Sequence, residues 1–283
     1  MLPQAVREWC LSNGYGDILK SRPVGGGCIS NGSIVNTASG ESFFLKTNPG
    51  AASDMFAGEA EGLEALRLPG GPRLPSPYLY DSEFILLEDL APAERRTDYW
   101  PTFGRQLAIV HKHTHQRFGF SHDNYIGSTP QLNSWTDDGF TFFTEHRLLF
   151  QARLARRRGL LGGKVLERVE RLCTRLPELV PEQPASLIHG DLWSGNAMTG
   201  SAGEPAIIDP AAHFGWAEAD LAMTVLFGTF PYDFYEAYDE ARPLEAGFRE
   251  RFQIYNLYHL LNHLNLFGGS YLGQVLSVIN KYA

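Results

Sequence analysis

The chain has 283 residues, 43% hydrophobic and 20% charged, and its 32 acidic and 24 basic side chains give a net charge of −8. At about 150 residues per domain this length allows one large domain or two unequal lobes, and the composition excludes disordered, fibrous and disulfide-rich chains. The acidic balance argues against a surface that coats nucleic acid or an anionic membrane, so any phosphate ligand must be met by local groups. Cys10, Cys28 and Cys173 are an odd number at wide spacing without a C-x-x-C pair, which fits neither a disulfide framework nor a zinc site and suits a reducing compartment. No basic stretch leads into an apolar run at the start, and no window supplies about 18 uncharged apolar residues; a cytoplasmic location is the expectation.

In chain order, a helix is expected over residues 3–13, followed by a strand approaching Val24. A glycine-rich turn, Gly25-Gly26-Gly27-Cys28-Ile29-Ser30, comes next, and then apolar alternation through Ile34-Val35 and Phe43-Phe44-Leu45-Lys46. Phe56, Glu59, Leu63 and Leu66 fall on one face of a helix over residues 53–68, opened by Ser53 or Asp54 as cap. A Pro/Gly-rich run over 69–77 ends it, and a strand over 83–88 stops at Asp89-Leu90-Ala91-Pro92. The lobe boundary is placed there, giving lobes of residues 1–90 and 91–283. Helices are expected beyond it over 102–115, 140–158, 163–176, 220–227 and 245–266, interrupted by strands at 186–189 and 206–209. The pattern is α+β, with a small β-rich N-lobe, a larger mainly helical C-lobe containing one hairpin, and a ligand cleft between them.

The strongest chemical signal is His189-Gly190-Asp191-Leu192-Trp193-Ser194-Gly195-Asn196, with Asp209 closing the next strand. An Asp, an Asn five residues on and a second Asp after an apolar strand have the spacing of a phosphotransferase catalytic loop and its metal-binding Asp. In such a loop one carboxylate accepts the hydroxyl proton of the acceptor, while a carboxylate and an amide oxygen hold Mg²⁺, a hard ion that takes oxygen ligands and bridges ATP phosphates. The amides of the glycine-rich turn can cradle phosphate oxygens, and Lys46 on the third strand can reach the α- and β-phosphates. Glu59 strengthens this reading, because a carboxylate on an apolar helix face is costly unless paired, and Lys46 is its natural partner.

With these residues in place, the chain resembles the fructosamine kinase (ketosamine 3-kinase) family, in the aminoglycoside-phosphotransferase-like branch of the bilobal protein-kinase-like fold. The similarity spans almost the whole chain. It rests on Gly25-Gly26-Gly27-Cys28-Ile29-Ser30, Met55-Phe56-Ala57-Gly58-Glu59, Asn124-Tyr125-Ile126-Gly127 with Thr129-Pro130-Gln131, the loop 189–196, and Asp209-Pro210-Ala211 with Gly215, Glu218 and Leu221-Ala222. The resemblance implies ATP-dependent phosphorylation of the 3-hydroxyl of a ketosamine, the sugar adduct left on an amine by glycation, with loss of the unstable phosphate freeing the amine. It implies Asp191 as catalytic base, Asn196 and Asp209 as Mg²⁺ ligands, Lys46 as phosphate contact and Glu59 as its ion-pair partner. Backbone groups near Glu88, Asp89 and Leu90 would form the adenine hinge.

Two positions depart from the family pattern: Gly139 stands four residues after Trp135 where a second Trp is common, and Trp216 stands where a smaller polar residue or His is common. Trp216 would stack on a sugar as an exposed ring or pack in the core. Trp193, His213 and Glu218 are the other candidates for the acceptor site, with Asn262 and His263 either lining the same pocket or capping a core helix. Of His111, His113 and His115, one is expected to pack and two to be solvated. The arginines at 153 and 156–158 are expected at a helix C-terminus. Asp220 is expected to brace the catalytic loop, and Cys28, inside the turn, carries a hypothesis of oxidative control. Two other functions stay open: a kinase of the aminoglycoside or choline type, and a non-catalytic ATP-binding module that recognises glycated proteins.

Overall fold

The structure, a computed structural model, describes residues 2–25 and 29–283. Helix α1 (Gln4–Ser12) precedes strands β1 (Ile18–Val24), β2 (Asn31–Thr37) and β3 (Ser42–Thr47). Helix α2 (Met55–Leu66) then leads to β4 (Pro77–Asp81) and β5 (Phe84–Glu88), completing an antiparallel sheet in the order β1-β2-β3-β5-β4. The apolar run of β5 is continuous because both its faces are covered. Phe84 and Leu86 pack with Phe43, Leu45 and Val35 against Val6 and Cys10 of α1, while Ile85 and Leu87 join Phe56, Leu63 and Leu66 of α2. The same alternation along β3 sends Phe43 and Leu45 toward α1 and leaves Lys46, opposite Ile85, on the side of α2.

Helix α3 (Tyr99–Lys112) is followed by β6 (Thr114–His115), the hairpin of β7 (Asn124–Ile126) and β8 (Thr129–Gln131), and α4 (Gly139–Phe142). A π-helical segment (Phe143–Leu149), α5 (Phe150–Arg157), α6 (Gly163–Thr174) and α7 (Leu176–Leu179) come next. Strand β9 (Ala185–Ile188) lies between β6 and β12 (His213–Gly215), so residues 189–212 leave this sheet and return to it as one excursion. The excursion carries the hairpin of β10 (Ala197–Thr199) and β11 (Pro205–Ile207). Helices α8 (Ala217–Met223), α9 (Tyr232–Ala241), α10 (Phe248–Phe267) and α11 (Leu272–Tyr282) complete the chain, with a 3-10 turn (Gly269–Tyr271) before the last. Among the described residues no helix is long and apolar enough to cross a membrane.

The α+β composition agrees with expectation, but the C-terminal strands pair differently. The expected strands at 186–189 and 206–209 do not form one hairpin: β9 pairs with β12, and β11 with β10. Each missing partner is three residues long, too short to display a period of two. The helix expected over 140–158 is broken by the π-helical segment, and α9, α11 and β4 go beyond expectation. Trp216 resolves to the core, 4% exposed among Phe118, Phe140, Phe143 and Tyr255, so it offers no ring to a sugar. Gly139 provides the space, since a Cβ there would stand 2.7 Å from both the Phe118 ring and the Trp216 indole nitrogen. Positions 139 and 216 are thus one packing unit.

Two outcomes follow from this packing. Gly139→Ala should cost about 1–3 kcal/mol in urea unfolding by overpacking, with part recovered in a Gly139→Ala/Trp216→Phe protein; a Gly139→Ala protein as stable as the parent would contradict the contact. Burial also pushes the imidazoles of His111, His189, His213 and His259 below the ordinary histidine value, His259 to about 3. Such a ring takes up its proton on unfolding, so its stabilisation is complete above the unfolded value of about 6.5 and drains as pH falls toward the folded one. Unfolding free energy should fall steeply below about pH 6.5, and His259→Asn should remove about 1.4 kcal/mol per pH unit from that slope. A slope unchanged by the substitution would exclude a buried neutral His259.

Candidate active site

Three elements converge on the Lys46 ammonium. Its Nζ donates to Glu59 Oε1 and Oε2, both at 2.8 Å, and to Asp209 Oδ1 at 2.9 Å. Burial works against the charged amine, but the carboxylates of Asp209 and Glu59 outweigh it and hold the Lys46 pKa above its ordinary value. Lys46 and Glu59 are each 11% exposed in their side chains and Asp209 is 40% exposed, so the far side of the Asp209 carboxylate faces open space. Asp209 has φ +57°, a left-handed conformation rare outside glycine.

The loop after β9 is built on a buried carboxylate. Asp220 of α8 accepts from the amides of His189 at 2.6 Å and Gly190 at 2.8 Å, and from His111 Nε2 at 3.2 Å. Burial pushes this carboxyl up, but the hydrogen bonds from His111 and the His189 amide outweigh it and leave the pKa lowered. The Tyr238 hydroxyl donates to His111 Nδ1 at 2.8 Å, which sets the tautomer. His189, also neutral, donates from Nε2 to the Ile208 carbonyl at 2.9 Å and accepts the Asp191 amide at Nδ1, 3.2 Å away. Gly190 has φ +81°, and a Cβ there would lie 2.2 Å from the Ala211 carbonyl oxygen, so only glycine lets the two arms of the excursion meet.

Asp191 projects from this platform, half-buried. Asn196 Nδ2 donates to its carbonyl at 2.8 Å and to Oδ2 at 3.2 Å. Burial and the charge of Asp209 push the Asp191 carboxyl up to about 7. The Ile208 amide bonds the Asn196 carbonyl at 3.1 Å, so Asn196 and Asp209 stand at the same end of the β10–β11 hairpin. Their donor atoms are oxygens, and among the described residues no cluster of three His, Cys, Asp or Glu side chains could hold a metal unaided. This set fits a hard ion such as Mg²⁺ that takes its remaining ligands from phosphate and water.

The other expected site residues fall into groups. Gly26, Gly27 and Cys28 lie outside the described residues, as does the hypothesis attached to Cys28; Gly25 is exposed, and Ile29 and Ser30 are half-buried, the Ile29 carbonyl accepting from Asn48 Nδ2 at 3.2 Å. The Glu88 amide is committed to the Ser76 carbonyl at 2.9 Å and its carboxylate to Arg73. Asp89 accepts from the Ser42 hydroxyl at 2.8 Å, and Leu90 is buried. Trp193 is half-buried beside the loop. Glu218 is not available to a sugar, being buried in an ion pair with Arg251 at 2.6 Å and bonded to the Tyr255 hydroxyl at 3.0 Å. His213 is buried beneath the loop and bonded to the Ala211 carbonyl, so it does not line an open site either.

His111 packs while His113 and His115 are exposed; Arg153, midway along α5, pairs with Glu145, and Arg156 and Arg157 fall in its last turn. Asn262 is buried, whereas His263 stacks on Phe227 at 4.5 Å, and Phe227 meets Trp193 at 6.2 Å. With Tyr271 these rings make an aromatic row leading away from Asp191. Sequence reasoning missed Phe227, which lies in the turn after α8 although a helix is expected through it, and Tyr271, in the 3-10 turn before α11. It also missed Arg73, which joins Glu88 to Glu204 from inside a Pro/Gly-rich run with no distinguishing signal.

The comparisons with known proteins agree along the whole length. A model of the fructosamine kinase family matches residues 2–283. A Synechocystis protein named a probable ketoamine kinase is 42% identical over 93% of this chain and 90% of its own. The chloroplastic protein-ribulosamine 3-kinase of Arabidopsis thaliana is 39% identical over 100% of this chain and 88% of its own. A Thermobifida fusca crystal structure described as a fructosamine-3-kinase superposes with a TM-score of 0.89 at 32% identity, covering 99% and 98% of the two chains. A choline kinase from Streptococcus pneumoniae, 15% identical with a TM-score of 0.64, shares the bilobal protein-kinase-like fold. With a family match from end to end and these identities behind it, the chain belongs to the fructosamine kinase family.

Proposed function

We propose that this protein is an ATP-dependent kinase that phosphorylates the 3-hydroxyl of ketosamines, yielding a phosphate whose breakdown frees the glycated amine. The observation that carries the reading is the bonding of Lys46 to both Glu59 and Asp209, with the Asp191–Asn196 pair on the adjoining loop. The names of the Arabidopsis and Synechocystis relatives support the acceptor class.

Each residue then has a task. Asp191 takes the proton of the attacking hydroxyl, its carboxylate held by the Asn196 amide. Lys46 contacts the α- and β-phosphates and is kept charged and aimed by Glu59. Asn196 and Asp209 hold Mg²⁺, which neutralises phosphate charge when bound. The glycine-rich turn over residues 25–30 covers the phosphates, and because the Glu88 amide is already bonded, the adenine contacts fall to the Glu88 carbonyl and the backbone of Asp89 and Leu90. Trp193, with Phe227 and His263, forms a wall on which the open or cyclic sugar of the acceptor rests. The intact set of Lys46, Asp191, Asn196 and Asp209 favours catalysis over a merely binding role. A cytoplasmic setting, where ATP is present, completes the reading.

ADP release should be measured over ribulosyl-, erythrulosyl- and fructosyl-lysine, with choline and an aminoglycoside as controls. Turnover confined to the ketosamines is expected; turnover of the controls alone would replace this acceptor class. Asp191→Asn should lower kcat by about 10²- to 10⁴-fold while leaving ADP affinity nearly unchanged. Near-normal kcat in that variant would remove Asp191 from the mechanism. Lys46→Met should weaken nucleotide binding as well as turnover, and an unaltered ADP affinity would argue against a phosphate contact.

A further inference from the structure

The hairpin of β7 and β8 carries Asn124-Tyr125-Ile126-Gly127-Ser128-Thr129-Pro130-Gln131, to which the reaction described above gives no task. Its two ends are buried carboxamides, Asn124 at 4% exposure and Gln131 at 1%. Asn124 Nδ2 donates to the Ala212 carbonyl at 2.9 Å. Gln131 Nε2 donates to the Ala211 carbonyl at 2.9 Å and to Asn124 Oδ1 at 2.8 Å, and its Oε1 accepts from the Tyr258 hydroxyl at 2.7 Å. Asn133 Nδ2 adds a second bond to Asn124 Oδ1 at 3.0 Å. Both polar atoms of the Gln131 carboxamide are engaged, Nε2 in two bonds and Oε1 in one, which fixes its orientation. Ala211 and Ala212 follow Asp209 by two and three residues, so two side-chain amides hold the backbone that carries this carboxylate.

The same hairpin meets α2 beside Glu59. The Tyr125 hydroxyl donates to Asp54 Oδ1 at 2.6 Å where the helix begins. A Cβ at Gly58 would come within 3.3 Å of the Asn124 side chain, and one at Gly62 within 3.3 Å of Ala212 and Pro210. The Ser121 hydroxyl and His122, just before β7, bond Glu61. Positions 54, 58, 61 and 62 surround Glu59 along the helix, and each touches either the hairpin and its approach or the segment that the hairpin holds.

We infer that the β7–β8 hairpin is a clamp that fixes α2 and residues 209–212 in one geometry, so that Glu59 and Asp209 already meet Lys46 before nucleotide binds. Asn124 and Gln131 are its positioning residues, acting through the Ala211 and Ala212 carbonyls. The Asn124 amide supplies a directional donor to the Ala212 carbonyl, and the Gln131 amide adds a second bond to the Ala211 carbonyl beside that of His213 Nδ1, directions that an apolar contact would not fix. The inference rests on the kinase reading for its purpose, though not for its geometry.

The test uses the full chain. Hydrogen–deuterium exchange of the nucleotide-free protein is compared for wild type, Gln131→Met, Tyr125→Phe and a control, Val169→Ala in α6, a buried core position outside the clamp. Binding of ADP is measured with and without Mg²⁺. Gln131→Met should speed exchange in both 55–66 and 209–213 by at least about tenfold. It should also raise the Mg²⁺ concentration needed to tighten ADP binding by about 10- to 100-fold, with Mg²⁺-free ADP affinity preserved. Val169→Ala should lose stability without either effect. A folded Gln131→Met protein with unchanged exchange in both segments would overturn the clamp, as would the same pattern in Val169→Ala. If Gln131→Met does not fold, Tyr125→Phe decides: faster exchange confined to the first turns of α2 supports the clamp, and unchanged exchange overturns it. Failure of the wild type to bind ADP with Mg²⁺ would remove the kinase reading while the exchange comparison still decides the clamp.

Discussion

A lysine that is nearly out of water must have its charge answered, and Lys46 is answered twice, by carboxylates 13 and 163 residues away in the chain. Removing one member of a buried ion pair leaves an uncompensated charge, at about 3–5 kcal/mol. The sheet, helix α2 and the 189–212 excursion must therefore arrive together. Strand alternation turns Lys46 toward α2, the helical period turns Glu59 toward the sheet, and the return of the chain to β12 brings Asp209 within reach.

Below this meeting point the loop of residues 189–196 rests on polar groups in a dry interior, which is tolerable because their hydrogen-bond partners are present. Asp220 keeps its charge by accepting from two backbone amides and one imidazole, while the histidines around it are neutral. The division lets a single buried carboxylate order the two residues that lead into Asp191 without placing a mobile charge beside it.

Much of this was legible in the sequence wherever a side chain declares its chemistry. Asp191, Asn196, Asp209 and Lys46 fell at recognisable spacings, and Glu59 stood out as a charge on an apolar face. The β-rich beginning and helical remainder followed from periodicity. Strands β10 and β12 did not, because three residues carry no measurable alternation. Trp216 and Glu218 were open to misassignment for a different reason: an indole or a carboxylate looks the same in sequence whether it faces solvent or finds a buried partner, and Gly139 and Arg251 make that choice here. Asn124 and Gln131 belonged to a recognisable segment, but carboxamides that bond backbone carbonyls some 80 residues away leave no pattern in a linear chain.

The left-handed backbone of Asp209 sets stability against chemistry at a single residue. A Cβ in this region is a standing cost of about 1–2 kcal/mol, which glycine would not incur. Glycine has no carboxylate, however, and would leave Lys46 with one partner. At this position the backbone favours glycine and the buried ammonium favours aspartate, two demands that act on stability in opposite directions. The strained residue marks where the fold gives up backbone ease in order to answer the charge of Lys46.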